Sequence, residues 1–174
     1  MDFFELIAAR RSIRAYQNRP VEEEKIAQIL NAANRAPSAG NLQAYVILVV
    51  RSSDTRQALA RAALNQDFLG QAPVVLAFFA HQRMSAAKYK QRGVELYALQ
   101  DATIACGYAQ LAATELGLGT VWVGAFDDDA VKHVLKAQAD WRPVALLPIG
   151  YPAESPQPTP RRALEELAKD ANHG

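Results

Sequence analysis

The stretch from Glu95 to Leu116, ELYALQDATIACGYAQLAATEL, constrains the fold more than any other part of the chain. It predicts one long helix, about 33 Å at a rise of roughly 1.5 Å per residue. Ala98, Ala102, Ala105, Ala109 and Ala112 recur at intervals of three and four residues, which lets another helix approach its backbone closely. A helix that is small or apolar on almost every side must be buried. A chain of 174 residues, half of them hydrophobic, can bury it within one compact domain. A second copy of the chain buries it more naturally, so the expectation is a homodimer.

The flanking segments read as alternating helices and strands. Asp2 caps a first helix that ends near Arg10, and Pro20 breaks the chain. Glu22, Glu23 and Glu24 then open a helix carrying Ile26, Ile29, Leu30 and Ala33 at helical spacing, which Pro37 ends. The β-branched runs Tyr45–Val50, Pro73–Ala80, Thr120–Phe126 and Pro143–Tyr151 predict four strands. Helices are expected over Asp54–Asn65 and Asp127–Lys136, and His81–Arg92 reads as a polar helix or a lid. Pro152, Pro156, Pro158 and Pro160 make an extended arm, with a short helix from Arg161. No repeat or linker divides the chain, so residues 1–174 are expected to be one domain, with 152–174 reaching a partner subunit. This order fits an α/β or α+β sandwich.

Nineteen basic and eighteen acidic residues leave a formal charge of +1, so no overall field attracts nucleic acid or a membrane surface. Arg10, Arg11, Arg14 and Arg19 nonetheless fall within ten positions, a cluster better matched to a small anion than to a polyanion. One cysteine, Cys106, allows no internal disulfide and no cysteine-based metal site, and a cytoplasmic setting is the default expectation. The N-terminus lacks the pattern of a signal peptide, and no apolar run reaches the roughly 20 residues of a membrane span.

Three short segments carry the chemistry: RRSIRAY at Arg10–Tyr16, APSAGNLQAY at Ala36–Tyr45, and PTPRRALEEL at Pro158–Leu167. Guanidinium groups make forked, charge-assisted hydrogen bonds to phosphate. Asn41 and Gln43 carry the paired donors and acceptors that read the edge of a heterocycle. A fold that gathers the three segments would hold a phosphorylated, ring-bearing ligand, and FMN fits best. The plainer alternative for the arginines is that they cap the C-terminal end of the first helix.

The order of these motifs, with the long helix and the following TVWVGAF, resembles the FMN-dependent nitroreductase family over about Phe3 to Leu167. Gln43-Ala44-Tyr45 departs from the Gln-Pro-Trp common there. The resemblance implies an α+β fold, a three-layer sandwich with a mixed, mostly antiparallel sheet flanked by helices and a long central helix at a dimer interface. It implies FMN contacted by both subunits, and NADH or NADPH as donor. Arg10, Ser12 and their neighbour Arg11 match the contacts to the phosphate and ribityl chain, and Arg14 matches the cation near the pyrimidine edge. A cation there stabilises the reduced ring. Pro37, Ser38, Ala39, Asn41 and Gln43 match the loop against the ring, and Arg161 with Arg162 the late return to the phosphate. Gly124, Pro148 and Gly150 match places where backbone comes close to the ring, although a bulge or turn explains such glycines equally.

The implied activity is ping-pong transfer of electrons from NAD(P)H to a nitroaromatic, quinone or other electron-poor small molecule. No covalent nucleophile or dedicated general acid is needed, because solvent can deliver protons. The alternatives are a reductase or dehydrogenase dedicated to one enone, azoline or halophenol, a flavin-binding module without turnover, and a flavin-free anion-binding scaffold. Gly117, Gly119 and Gly124 follow a helix and precede a strand, the reverse of a dinucleotide fingerprint. His81, His133 and His173 lack ligand spacing, and Ser38 and Ser155 lack a nucleophile elbow.

Overall fold

The computed structural model describes residues 1–171, so His173 lies outside the described residues. Helix α1 spans Phe3–Ala9 and begins in a capping box. The Asp2 carboxylate accepts from Glu5 N at 2.9 Å, and the Glu5 carboxylate accepts from Asp2 N at 3.0 Å. Helix α2 covers Glu23–Asn34, β1 Tyr45–Val50, α3 Ser53–Ala62, α4 Phe68–Gln71 and β2 Val74–His81. Then come α5 at Gln82–Arg92, α6 at Ala98–Glu115, β3 at Gly119–Thr120, α7 at Asp128–Leu135, β4 at Trp141–Gly150 and α8 at Leu164–Leu167.

The sheet has the order β1-β2-β4-β3, and every neighbouring pair is antiparallel. Side chains alternate between the faces of a strand. Val74, Leu76 and Phe78 of β2 accordingly enter a core with Ile26 and Ile29 of α2 and Ala105 and Ala109 of α6. Val75, Ala77 and Phe79 enter a second core with Leu59 of α3, Leu69 of α4 and Val131 of α7. The result is three layers: α2 and α6, the sheet, then α3, α4 and α7. No helix among the described residues is long and apolar enough to cross a membrane.

Helix α6 buries one side completely, including Ala98, Ala102, Ala105, Cys106, Ala109 and Ala113. Its other side stays open, with Ile104 37% and Tyr108 41% exposed. The helix expected from Glu95 is present: Gly93–Tyr97 forms a π-helical turn that runs directly into α6. Before that turn, α5 leaves helical geometry at Lys90 (φ 50°, ψ −134°), which returns Gly93 against Ser85.

The strand expected over Thr120–Phe126 is shorter. Only Gly119 and Thr120 pair continuously with β4, and Val123 makes one further bridge to Leu146. Val121 and Val123 are buried while Trp122 and Gly124 face outward, so the alternation is satisfied by packing without a continuous ladder. The last short helix begins at Leu164 rather than Arg161.

Two features of the β4 end carry predictions. A Cβ on Gly150 would stand 2.7 Å from Pro73 Cδ and 2.8 Å from Tyr16 Cδ1. Overpacking of this kind costs typically about 1–3 kcal/mol, so Gly150→Ala is expected to lower the urea midpoint by a corresponding amount.

Beyond it, the Tyr151 hydroxyl donates to Glu22 at 2.7 Å and accepts from Lys25 Nζ at 2.9 Å, and Lys25 also reaches Leu116 O at 2.9 Å. The Tyr151 hydrogen bond, then a backbone bond and Arg19, hold the Glu22 carboxyl at about 2, below its ordinary 4.5. A carboxyl depressed in the folded state stabilises that state above its unfolded pKa and ceases to do so as pH falls through the folded one. Tyr151→Phe is therefore expected to be less stable than the unaltered chain at pH 6. Urea midpoints should show the gap closing as the pH approaches 2.

Candidate functional site

The first segment leaves α1 at Arg10, whose φ and ψ of −57° and 129° are no longer helical. It then runs beside the sheet: Ser12 bridges Thr120 in parallel, Ile13 N donates to Thr120 O at 2.9 Å, and Tyr16 bridges Pro152. In extended chain, residues two apart share a face. Ile13 is buried, and Arg10, Ser12 and Arg14 share the opposite face.

These three, with Arg11, line a cleft of about 390 Å³ whose far wall is Pro156, Pro158, Thr159 and Arg161. Both ends of the sequence thus meet in one place. Among the described residues, no carboxylate forms an ion pair with Arg10 or Arg161. Burial, then the charges of Arg161 and Arg11, press the pKa of the Arg10 guanidinium down. Like charges facing one another without a counter-ion are a standing cost that a bound anion removes.

The arginines do not all act alike. Arg11 Nη1 donates to Ala8 O and Arg10 O, the second at 2.9 Å, so this residue caps the end of α1 as the plainer reading had it. The Arg14 guanidinium lies 6.0 Å from the centre of the Phe68 ring, and a single Glu154 oxygen accepts from the backbone of Arg14 and Ala15. Arg162 is paired with Glu166 at 2.9 Å and does not line the cleft.

The loop segment forms a second cleft, of about 600 Å³, bounded by Pro37, Ser38 and Ala39 on one side and Tyr97, Gln100, Asp101 and Ile104 on the other. The two clefts share no residue. The loop braces itself. Ser38 Oγ accepts from Gln43 N at 3.0 Å and from Gln43 Nε2 at 3.1 Å, and Asn41 Oδ1 accepts from the same amide at 2.6 Å. Asn41 and Gln43 both sit at positive φ, 57° and 45°, a conformation that persists only where surroundings enforce it.

The enforcing group is Asp101, 2% exposed on α6, whose carboxylate accepts from Ala39 N at 2.9 Å and Ala44 N at 3.3 Å. It clamps both ends of the loop. Sequence reading missed it, although an acid inside so apolar a helix was a visible signal. Glu154 and Phe68 were missed as well, and no local pattern marks them.

The β4 candidates stand apart from both clefts. Pro148 and Gly150 are buried within the strand, and Tyr16 and Pro73 fill the space beside Gly150. Gly124 is exposed, with Trp122 Nε1 3.2 Å from where its Cβ would stand.

The sequence matches the model of the family described as Nitroreductase family over residues 7–66 and 59–151. It is 35% identical to a protein named NADH dehydrogenase from Thermus thermophilus, across 91% of this chain and 90% of that one. It is 33% identical to an FMN reductase [NAD(P)H] of Bacillus subtilis, across 90% of this chain and 68% of that one. The solved structure of NfrA2 from B. megaterium superposes with a TM-score of 0.91 at 27% identity, covering 98% of this chain and 74% of that one.

Proposed function

This chain belongs to the nitroreductase family, and we propose that it works as a homodimeric FMN oxidoreductase. In this reading it takes electrons from NADH or NADPH and passes them to nitroaromatic, quinone or similar electron-poor acceptors in a ping-pong cycle. The observation that carries the reading is the cleft where Arg10, Ser12 and Arg161 converge without a carboxylate partner. Its donor set suits a phosphate monoester: two guanidinium forks, a hydroxyl and an uncompensated positive field. The relative named FMN reductase [NAD(P)H] supports the same cofactor and donor.

When bound, the flavin supplies the two-electron carrier, and the protein supplies its place and surroundings. Arg10 and Arg161 hold the phosphate, Ser12 the adjoining hydroxyl chain, and Arg14 sets a fixed positive charge at the pyrimidine edge. Pro37, Ser38, Ala39, Asn41 and Gln43 lie against the ring. Within one chain this loop lines a different cleft from the arginines. The two halves therefore meet across a dimer, with each site drawing on both copies.

The open side of α6, with Ile104 and Tyr108, and the exposed Phe3 and Phe4 of α1 offer apolar surface for that association. The arm from residue 152, with Leu164 and Leu167 exposed, extends it. Gly124 is open to an approaching ligand, whereas the space beside Gly150 is taken by Tyr16 and Pro73.

Initial rates measured at several fixed donor concentrations test the cycle. Parallel reciprocal plots with nitroaromatics and quinones alike are expected. Intersecting plots would contradict the ping-pong order, and one acceptor served far faster than all others would contradict the broad range.

A further inference from the structure

Helix α5 carries Arg83, Lys88, Lys90 and Arg92 and no acidic residue. Arg83 lies 3.7 Å from Asp140, but among the described residues no carboxylate pairs with Lys88, Lys90 or Arg92. Two of these free cations are held beside the loop cleft by a pair of tyrosines. Tyr89 and Tyr97 meet edge to face, with ring centres 4.9 Å apart. Lys88 Nζ lies 5.4 Å from the centre of the Tyr89 ring. The Arg92 guanidinium lies 5.3 Å from the centre of the Tyr97 ring, and its Nε donates to the Tyr97 hydroxyl at 2.9 Å.

Tyr97 also lines the cleft opposite Pro37, Ser38 and Ala39. Lys88 Nζ comes within 2.6 Å of where a Cβ on Gly40 would stand, and the Tyr89 hydroxyl comes closer still, so Lys88 borders the loop itself. Aromatic contacts reduce the freedom a cation must lose on binding. Arg92 keeps the rest of its guanidinium donors for a ligand. The cleft therefore has a largely apolar lining, with Arg92 against its Tyr97 wall and Lys88 beside the loop that forms the other wall.

That combination suits a ligand with a planar ring and phosphate groups beyond it, which is the chemistry of a dinucleotide donor. We propose that Lys88 and Arg92 form a phosphate-recognition site for the NAD(P)H donor. This rests on the proposed function. The shared chemistry is phosphate, supplied either by the pyrophosphate of both dinucleotides or by the additional ribose phosphate of NADPH.

The test uses FMN-loaded protein at low salt and the redox-inert analogues tetrahydro-NADPH and tetrahydro-NADH, titrated calorimetrically. Lys88→Ala and Arg92→Ala are each expected to weaken binding about fivefold, the scale of one exposed charged contact. The double variant should lose about 25-fold if the two act independently. Lys88→Arg should restore most of the loss, and added salt should shrink it. Loss with both analogues assigns the contact to pyrophosphate, and loss confined to tetrahydro-NADPH assigns it to the ribose phosphate.

Unchanged affinity for both analogues overturns the proposal. So does an equal slowing of flavin bleaching by N-benzyl-dihydronicotinamide, which has no phosphate, because the cations would then act on the ring. If the unaltered holoprotein is bleached by no donor at all, the functional reading itself has failed and this inference falls with it.

Discussion

Replacing Arg10 and Arg161 together by alanine is expected to give a protein that folds but does not retain FMN through gel filtration. A charge-assisted hydrogen bond contributes about 1.5–3 kcal/mol, so losing one from each arginine weakens binding by about 3–6 kcal/mol, or roughly two to four orders of magnitude. The fold itself should not suffer. In the free protein burial and the charges of Arg161 and Arg11 already disfavour the Arg10 cation, and removing two of these like charges relieves a repulsion. Fluorescence titration of the flavin measures the affinity, and urea unfolding of the FMN-free protein measures the stability. Arg162→Ala is the contrasting variant, because that guanidinium is engaged with Glu166 at 2.9 Å. If it weakens FMN as much as Arg10→Ala does, the phosphate site is misassigned.

The second large effect lies at Asp101. Asp101→Ala leaves the N–H groups of Ala39 and Ala44 without their acceptor, and unsatisfied buried donors cost about 1–3 kcal/mol each. The loop they end also holds Asn41 and Gln43 at positive φ, so partial relaxation of that loop offsets some of the penalty. A net loss of about 2–4 kcal/mol in urea unfolding is expected, together with weaker FMN binding, because Ser38, Asn41 and Gln43 lose their fixed positions. Asp101→Asn keeps one acceptor oxygen and should fall between. A change below about 0.5 kcal/mol would show that the loop keeps its shape without the carboxylate.

Much of this arrangement is written locally in the sequence. Asp2 and Glu5 announce the start of α1, and the apolar run at Tyr45–Val50 is the strand it predicts. The spacing of Arg10, Ser12 and Arg14 already implies a shared face in extended chain, and the structure shows why: Ile13 turns inward between them. Where the structure adds to that reading, the deciding contact is distant in sequence. The alternation of Val121 and Val123 reports burial, yet whether β4 also pairs with them depends on where the chain crosses that edge. The confinement of Gly150 depends on Tyr16 and Pro73, neither of which is its neighbour in sequence.

The site shows the same division. The arginines at the two ends of the chain were expected together and line one cleft. The separation of the loop residues into another cleft is a property of the whole topology, invisible to motif reading. Likewise, the sequence places an acid at Asp101, but only the fold brings Ala39 N and Ala44 N to it.

An absorbance spectrum of the purified protein, taken after incubation with FMN and removal of the excess, then repeated anaerobically with NADH and with NADPH, tests the account most directly. Flavin bands that are retained and then bleached by at least one donor are the predicted result. Protein that emerges colourless, or flavin bands that neither donor bleaches, would contradict the assignment of this chain as an FMN oxidoreductase that draws electrons from NAD(P)H.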